Sequence, residues 1–362
     1  MKITSTRREF GHVVISSTPR LPTMSCPWYM AGVYTISFSA SVRAAALAAA
    51  VLSVLGCGTT VPSTPPAQTK AKQASLTAGP ARAIPSDLPF VSLEGPFWVA
   101  SEGTLIFSDV VEQNGPAAKI YSFDPRTRAF STLPYPASPT STNGLAVDAQ
   151  GRLVACERWN GALARISGPE RQVLAERVPD GRPLNAPNDL TIREDGNIYF
   201  SDTTWGARPG SHAPTAVYRL APDGALSVAF RVDMPNGVVL SPDGNTLYVG
   251  SDAQDRLWRL PVATDGTVGS PEPFGVVKDD PQARLHVPDG LCVDDRGRLY
   301  VANNSTEVSA IVVLDDAGHF AGRITFPAPP SNCTFGGADR RTLYVTTLHA
   351  VYEVPMLTPG LP

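Results

Sequence analysis

Residues 188–201 read NDLTIREDGNIYFS. The same phrase returns at 143–156 as NGLAVDAQGRLVAC, at 236–249 as NGVVLSPDGNTLYV and at 289–302 as DGLCVDDRGRLYVA. Looser copies begin at Glu94 (EGPFWVASEGTLIFS) and at Cys333 (CTFGGADRRTLYVT). The steps between lead residues are 49, 45, 48, 53 and 44, and self-similarity at such a period denotes a stacked or radial β architecture. Each copy has the same internal order. An apolar run follows the lead residue, then a polar turn (DAQG, REDG, SPDG, DDRG), then a second apolar run, which is a hairpin signal. A third strand follows at Ile120-YSF, Leu163-ARI, Val217-YRL, Leu257-WRL, Ile311-VVL and Val351-YEV, and a weaker fourth at Leu226-SVAF or Gly322-RITF. Four strands in each of six repeats predict an all-β fold, a six-bladed β-propeller spanning residues 83–358. The last copy ends after its third strand, near Glu353, so its fourth strand must come from elsewhere. Ile84–Leu93, just ahead of the first repeat, is the expected donor that closes the ring.

The lead residue precedes the innermost strand of each blade. Those strands line the channel of a propeller and begin at one face, so Glu94, Asn143, Asn188, Asn236, Asp289 and Cys333 are expected to form a rosette there. Turn formation explains Asn-Gly and Asp-Gly one at a time. It does not explain Glu94, nor Asn188, which is followed by Asp189. Two carboxylates with amide carbonyls make an oxygen-only environment that suits Ca²⁺, which takes roughly six to eight oxygen ligands and tolerates irregular geometry. Glu94, Asn188, Asn236 and Asp289 are the candidate ligands of one divalent cation. No His pair at helix spacing and no CxxC occurs, which disfavours zinc. His286, the one histidine close in sequence to a lead residue, reads as an exposed loop residue. Cys156 and Cys292 sit in apolar runs and read as small buried hydrophobes.

The 269 residues from Glu94 onward suffice for one large core. Beyond residue 57 the chain carries 25 Lys/Arg against 32 Asp/Glu, with no basic run. A duplex-binding surface needs a basic stripe to neutralise phosphates, so nucleic acid is excluded as a partner. Upstream, Arg43 is followed by AAALAAAVLSVLG and Cys57. A basic residue, about a dozen apolar residues and a small residue before the cleavage point describe a secretory signal. Val54-Leu55-Gly56-Cys57 resembles the bacterial lipobox, whose cysteine is acylated. Residues 58–82, rich in Thr, Pro, Ala and Ser, read as a flexible linker. The expectation is a monomeric lipoprotein, signal and lipobox in 1–57, its domain tethered to a membrane on the periplasmic side.

The segments LEGPFW, NGLAVDAQGRLVACE, LNAPNDLTIREDGNIYFSDTTWG, MPNGVVLSPDGNTLYV, VPDGLCVDDRGRLYVA and NCTFGGADRRTLYVT resemble the SMP-30/gluconolactonase family across residues 90–355. The resemblance implies a six-bladed propeller with one catalytic divalent cation, usually Ca²⁺, that hydrolyses a small sugar lactone or related ester. Carried over by position, Glu94, Asn188, Asn236 and Asp289 match the metal ligands, and Asn143 matches a channel position that contacts substrate. Arg158 stands where bacterial relatives often have a histidine, and Ala186 where some animal relatives hold substrate with an arginine. On this reading Asp289 is the catalytic base or orients the attacking water, Asn188 also holds the substrate oxygen, and Arg158 faces substrate. The alternatives are a non-catalytic propeller that grips a sugar acid through the same cation, and a phosphotriesterase-like hydrolase on the same site.

Overall fold

The computed structural model describes residues 75–110, 119–135, 141–207, 213–275 and 284–362. The signal and lipobox segment, Cys57 included, and the linker up to residue 74 lie outside the described residues. The rest forms six four-stranded antiparallel sheets. Their innermost strands are Leu93–Val99, Thr142–Val147, Ala186–Ile192, Pro235–Leu240, Pro288–Val293 and Pro330–Gly336. Each packs beside the next in chain order, and the last packs beside the first. This is a closed six-bladed propeller, numbered here as blades 1 to 6.

The closing strand differs from the expectation. Blade 6 takes its outer strand from Arg82–Ala83, paired with Glu353 and Tyr352, and not from Ile84–Leu93. Pro85 and Pro89 lack the N–H that a ladder needs, which leaves the pairing to the residues before them. Thr77 bridges Met356, the Ala78 N–H donates to the Pro355 carbonyl, and Leu76 is buried. The linker boundary expected at 82 therefore falls late, since residues 76–83 already belong to the propeller. Ile84–Leu93 instead carries the chain to the axis, dropping Ile84 and Phe90 into the core between blades 6 and 1.

The core is divided among the blade interfaces. One cluster joins blades 5 and 6 through Cys292, Tyr300, Cys333 and Phe335, and another joins blades 3 and 4 through Tyr199, Val217, Val238 and Val249. The second strands of blades 3 to 6 each carry a tyrosine (Tyr199, Tyr248, Tyr300, Tyr344) that is buried in such a cluster. A strand buried on both faces accounts for the near-continuous apolar runs of the sequence. Across the closure Trp98 of blade 1 stacks on Tyr344 of blade 6, with ring centroids 5.8 Å apart. Cys156 and Cys292 are free and buried, as their apolar context predicts, and Cys333 is free and buried too.

The polar turns have a specific job. In DAQG and DDRG the first aspartate turns back on its own loop: Asp148 Oδ1 accepts the N–H of Gln150 and Arg152, and Asp294 Oδ1 those of Arg296 and Arg298. The glycine that follows has φ +75° at both Gly151 and Gly297, a left-handed conformation that L side chains resist.

One buried charge has a structural role alone. Glu157 is fully buried and accepts from Tyr135 Oη at 2.8 Å, Arg171 Nε at 2.7 Å and Asn160 Nδ2 at 2.9 Å. Removing one partner of such a pair leaves a buried charge uncompensated and costs about 3–5 kcal/mol. Arg171→Met is therefore expected to lower the chemical-denaturation midpoint clearly. A variant within experimental error of wild type would show that Glu157 finds another partner.

Candidate metal and substrate site

The lead residues are aimed by hydrogen bonds that the repeats share. In blades 1, 3 and 5 the second strand ends in a carboxyl or amide group that reaches back to the chain entering the inner strand. Asp109 Oδ1 accepts from the N–H of Val91 and Ser92, ahead of Glu94. Asp202 accepts from Asn185 and Ala186, ahead of Asn188, and Asn303 Oδ1 accepts from His286, ahead of Asp289. Fixing the entry fixes which way the next side chain leaves.

The glycines after the lead residues trace the ring. A Cβ on Gly95 would lie 2.2 Å from the Asn143 carbonyl oxygen, and one on Gly144 would lie 2.8 Å from that of Asn188. A Cβ on Gly237 would lie 2.3 Å from the Asp289 carbonyl oxygen. Each blade entry thus rests directly on the next, so these glycines serve close approach at the axis as well as turn formation. Glu94, Asn143, Asn188, Asn236 and Asp289 belong to one ring of inner-strand starts, and all but Glu94 are buried.

Blade 6 corrects one expectation. Pro330 pairs with Thr347 and Cys333 with Val345, as Pro288 pairs with Asn303 and Leu291 with Val301. Ser331, not Cys333, is therefore the sixth lead residue, and the Cys333 thiol lies in the core between blades 5 and 6. The turn GGADRR is longer than DDRG, so a repeat aligned on its second strand shifts the lead. Two blades also replace the glycine: blade 3 has Asp189 and blade 6 has Asn332. The Asn332 side chain acts on both carboxyls, lowering Asp189 and Glu94 against the upward push of burial. A cavity of about 680 Å³ continues beyond Asp189 and Asn332, lined by residues such as Leu190, Arg193, Val238, Ser241 and Leu361. None of the lead residues lines it, so it belongs to the far end of the channel and not to the rosette.

The carboxylates repel one another. Burial, and next the Asp189 charge, raise Glu94 to about 8. Burial raises Asp189 to about 7, and raises Asp252 to about 7 with a smaller contribution from Asp255. Asp289 is pushed well above the usual carboxylate range by burial, then by the Glu94 and Asp252 charges. Glu94 and Asp289 thus lie close enough to oppose each other's ionisation. The Arg158 charge lowers Glu94 only slightly.

A second layer, which the sequence reading missed, holds these groups. Asn304 Nδ2 donates to Asp289 Oδ2 at 2.8 Å. Asn236 Nδ2 donates to both oxygens of Asp252 at 3.2 and 3.1 Å, which turns its carbonyl end the other way. Trp205 Nε1 donates to Asp252 Oδ2 at 3.0 Å, and Arg158 Nε donates to the Trp205 carbonyl at 2.8 Å. His286 is a loop residue, as expected, but half-buried and not exposed, with Nδ1 3.0 Å from an Asp255 oxygen. Three non-glycine residues with positive φ flank the ligand positions of blades 4 and 5: Met234 (+46°), Asp255 (+46°) and Val287 (+52°). Backbone strain of this kind, costing on the order of 1–3 kcal/mol per residue, gathers at functional sites.

The family model of the SMP-30/Gluconolactonase/LRE-like region matches residues 93–349. This chain belongs to that family. Among curated members it is 28% identical over 304 residues to a gluconolactonase of Zymomonas mobilis subsp. mobilis, covering 78% of this chain and 82% of the relative. It is 26% identical over 261 residues to a 6-deoxy-6-sulfogluconolactonase of Pseudomonas putida, covering 72% and 84%. Among solved structures, a gluconolactonase of Xanthomonas campestris superposes with a TM-score of 0.65 at 31% identity, covering 76% of this chain and 89% of that one.

Within this family site the donor set fits a hard cation. The buried Asp289 and the partly buried Glu94 oppose each other, and the Asn236 carbonyl end is turned away from Asp252. Asn143 Oδ1 is buried without a hydrogen-bond partner. Among the described residues no three His, Cys, Asp or Glu side chains group as metal ligands. A cation here would draw on amide oxygens as well as the carboxylates of Glu94 and Asp289, an oxygen set of the kind that hard cations such as Ca²⁺ take.

Proposed function

We propose that this protein is a lactone hydrolase that depends on one divalent cation, most simply Ca²⁺, and opens a sugar lactone in the manner of a gluconolactonase. The observation that carries this reading is the closed ring on which Glu94 and Asp289 oppose each other's ionisation beside Asn188 and Asn236. The lactonases among the relatives support the substrate class. Glu94, Asn188, Asn236 and Asp289 would hold the cation, which when bound supplies Lewis acidity at the lactone carbonyl.

The chain's own residues account for the remaining roles. Asp289 has Oδ2 held by Asn304, which leaves Oδ1 to take a proton from the attacking water. That proton passes to the ring oxygen as the acyl C–O bond breaks, and the product is the open hydroxy acid. Asn143, with its unpartnered Oδ1, accepts from a substrate hydroxyl, and Asn188 orients the substrate oxygen. Arg158, anchored on the Trp205 carbonyl, faces substrate from the rim. We also place the domain outside the cytoplasm, tethered by a lipid on Cys57, a reading that rests on the sequence of the leader.

The test is hydrolysis of a panel of aldonolactones by the purified propeller, with and without a chelator. Turnover lost on chelation and restored by Ca²⁺ is the expected result. Tight cation binding with no turnover of any lactone would instead mark a binding protein, and preference for a phosphotriester would mark the other hydrolase.

A further inference from the structure

We propose that Trp205 is the platform on which the sugar ring of the substrate rests, and that Asp252 positions it. This deepens the lactonase reading and rests on it.

Trp205 lies in the loop after the second strand of blade 3, and it is 52% exposed. An exposed tryptophan is ordinary if its ring is free to turn, but here both ends of the residue are held. The indole N–H donates to Asp252, and the carbonyl accepts from Arg158 Nε. The Arg158 guanidinium also lies flat against the next residue: a Cβ on Gly206 would fall 2.4 Å from it. Hydrogen bonds therefore run from Arg158 in blade 2 through Trp205 in blade 3 to Asp252 and Asn236 in blade 4. Asp252 is shared, one carboxylate holding both the rim indole and the amide of a candidate cation ligand. The indole edge is tied to the rosette, and a large part of its surface remains open to solvent.

The chemistry of the occupant follows from that surface. An aromatic face is negative at its centre and attracts the polarised C–H bonds of a saturated ring. An aldonolactone presents such a ring, with hydroxyls at its edge for Asn143 and Arg158 and a carbonyl for the cation. Trp205 would thus select for a ring-closed, sugar-like substrate over a short acyclic ester, without taking part in bond making.

The experiment compares wild type with Trp205→Ala and Trp205→Phe on glucono-1,5-lactone. Tryptophan fluorescence during titration with 1,5-anhydroglucitol, a ring-closed sugar with no lactone bond to open, gives a second readout. Trp205→Ala is expected to raise KM roughly tenfold with kcat held within about threefold, while Trp205→Phe, which keeps an aromatic face, stays nearer wild type. 1,5-Anhydroglucitol should quench wild-type fluorescence, and Trp205→Phe should lose that response while keeping its thermal shift with Ca²⁺. Asp252→Ala is expected to raise KM as Trp205→Ala does and also to weaken the Ca²⁺ thermal shift. A merely structural tryptophan would give lowered stability without the KM shift. An unchanged KM in a folded Trp205→Ala, or in Trp205→Phe an undiminished quench, overturns the platform and leaves the lactonase reading intact. If wild type turns over no lactone yet 1,5-anhydroglucitol quenches Trp205, the lactonase reading fails and the platform stands. No turnover and no quench sinks both.

Discussion

Asp289→Ala is expected to abolish lactone turnover, lowering kcat by on the order of 10³-fold or more, and to abolish cation binding with it. Asp289 stands at two points of the chemistry. Its carboxylate is one of two that make the ring start hard and anionic, and its Oδ1 is the base left open when Asn304 holds Oδ2. The fold should survive. The side chain is buried where Glu94 and Asp252 already oppose its charge, so its removal relieves repulsion. In the absence of cation the variant should be at least as stable as wild type at neutral pH, an activity–stability trade of the kind active sites show. Turnover, calorimetric Ca²⁺ binding and thermal unfolding of the two proteins measure all three. An Asp289→Ala protein that still binds cation and still opens lactone removes the residue from both roles. One that unfolds more readily than cation-free wild type contradicts the repulsion argument.

The residues of the inner ring were legible in sequence because they recur. Glu94, Asn188, Asn236 and Asp289 each begin a repeat, and a radial fold turns a common register into a common place. Features without a period were not legible. Asp252, Trp205 and Asn304 follow second strands, in loops whose sequences do not repeat, so nothing marked them as partners of the lead residues. Cys333 was misplaced because its turn is longer than those of the other blades, and a shift of two residues carried the thiol from the rosette to the core. The closing strand was misplaced because only Arg82 and Ala83 form its ladder, too short a stretch to leave a pattern. Asn332 and Asp189 were hidden by the glycine rule itself. Where four blades carry glycine at the axis, these two carry polar side chains that meet Glu94.

Cation and proton should compete for the same oxygens, with a definite sign. Glu94 is raised from its ordinary value to about 8, and Asp189, Asp202 and Asp252 to about 7, each chiefly by burial. A group whose folded value lies above its unfolded one holds a proton in the native state that the unfolded chain has released. Its contribution to stability is complete below the unfolded value and is lost as pH rises through the folded one. The cation-free protein should therefore lose stability between about pH 5 and about pH 9. The surface carboxylates held low by neighbouring arginines, such as Asp124 and Asp180, act in the opposite sense but only in acid, outside this window. A cation binds the ionised set, so its stabilisation should be small near pH 5 and large near pH 8, roughly 2.7 kcal/mol at a hundredfold excess over Kd. For a domain of this size that corresponds to a gap in Tm on the order of 4–5 °C between Ca²⁺-loaded and chelated protein. Thermal unfolding across the pH series, with and without chelator, measures the gap directly. A gap that does not widen with pH would mean that the cation is held away from these carboxylates, and the ring of buried acids would then need another explanation.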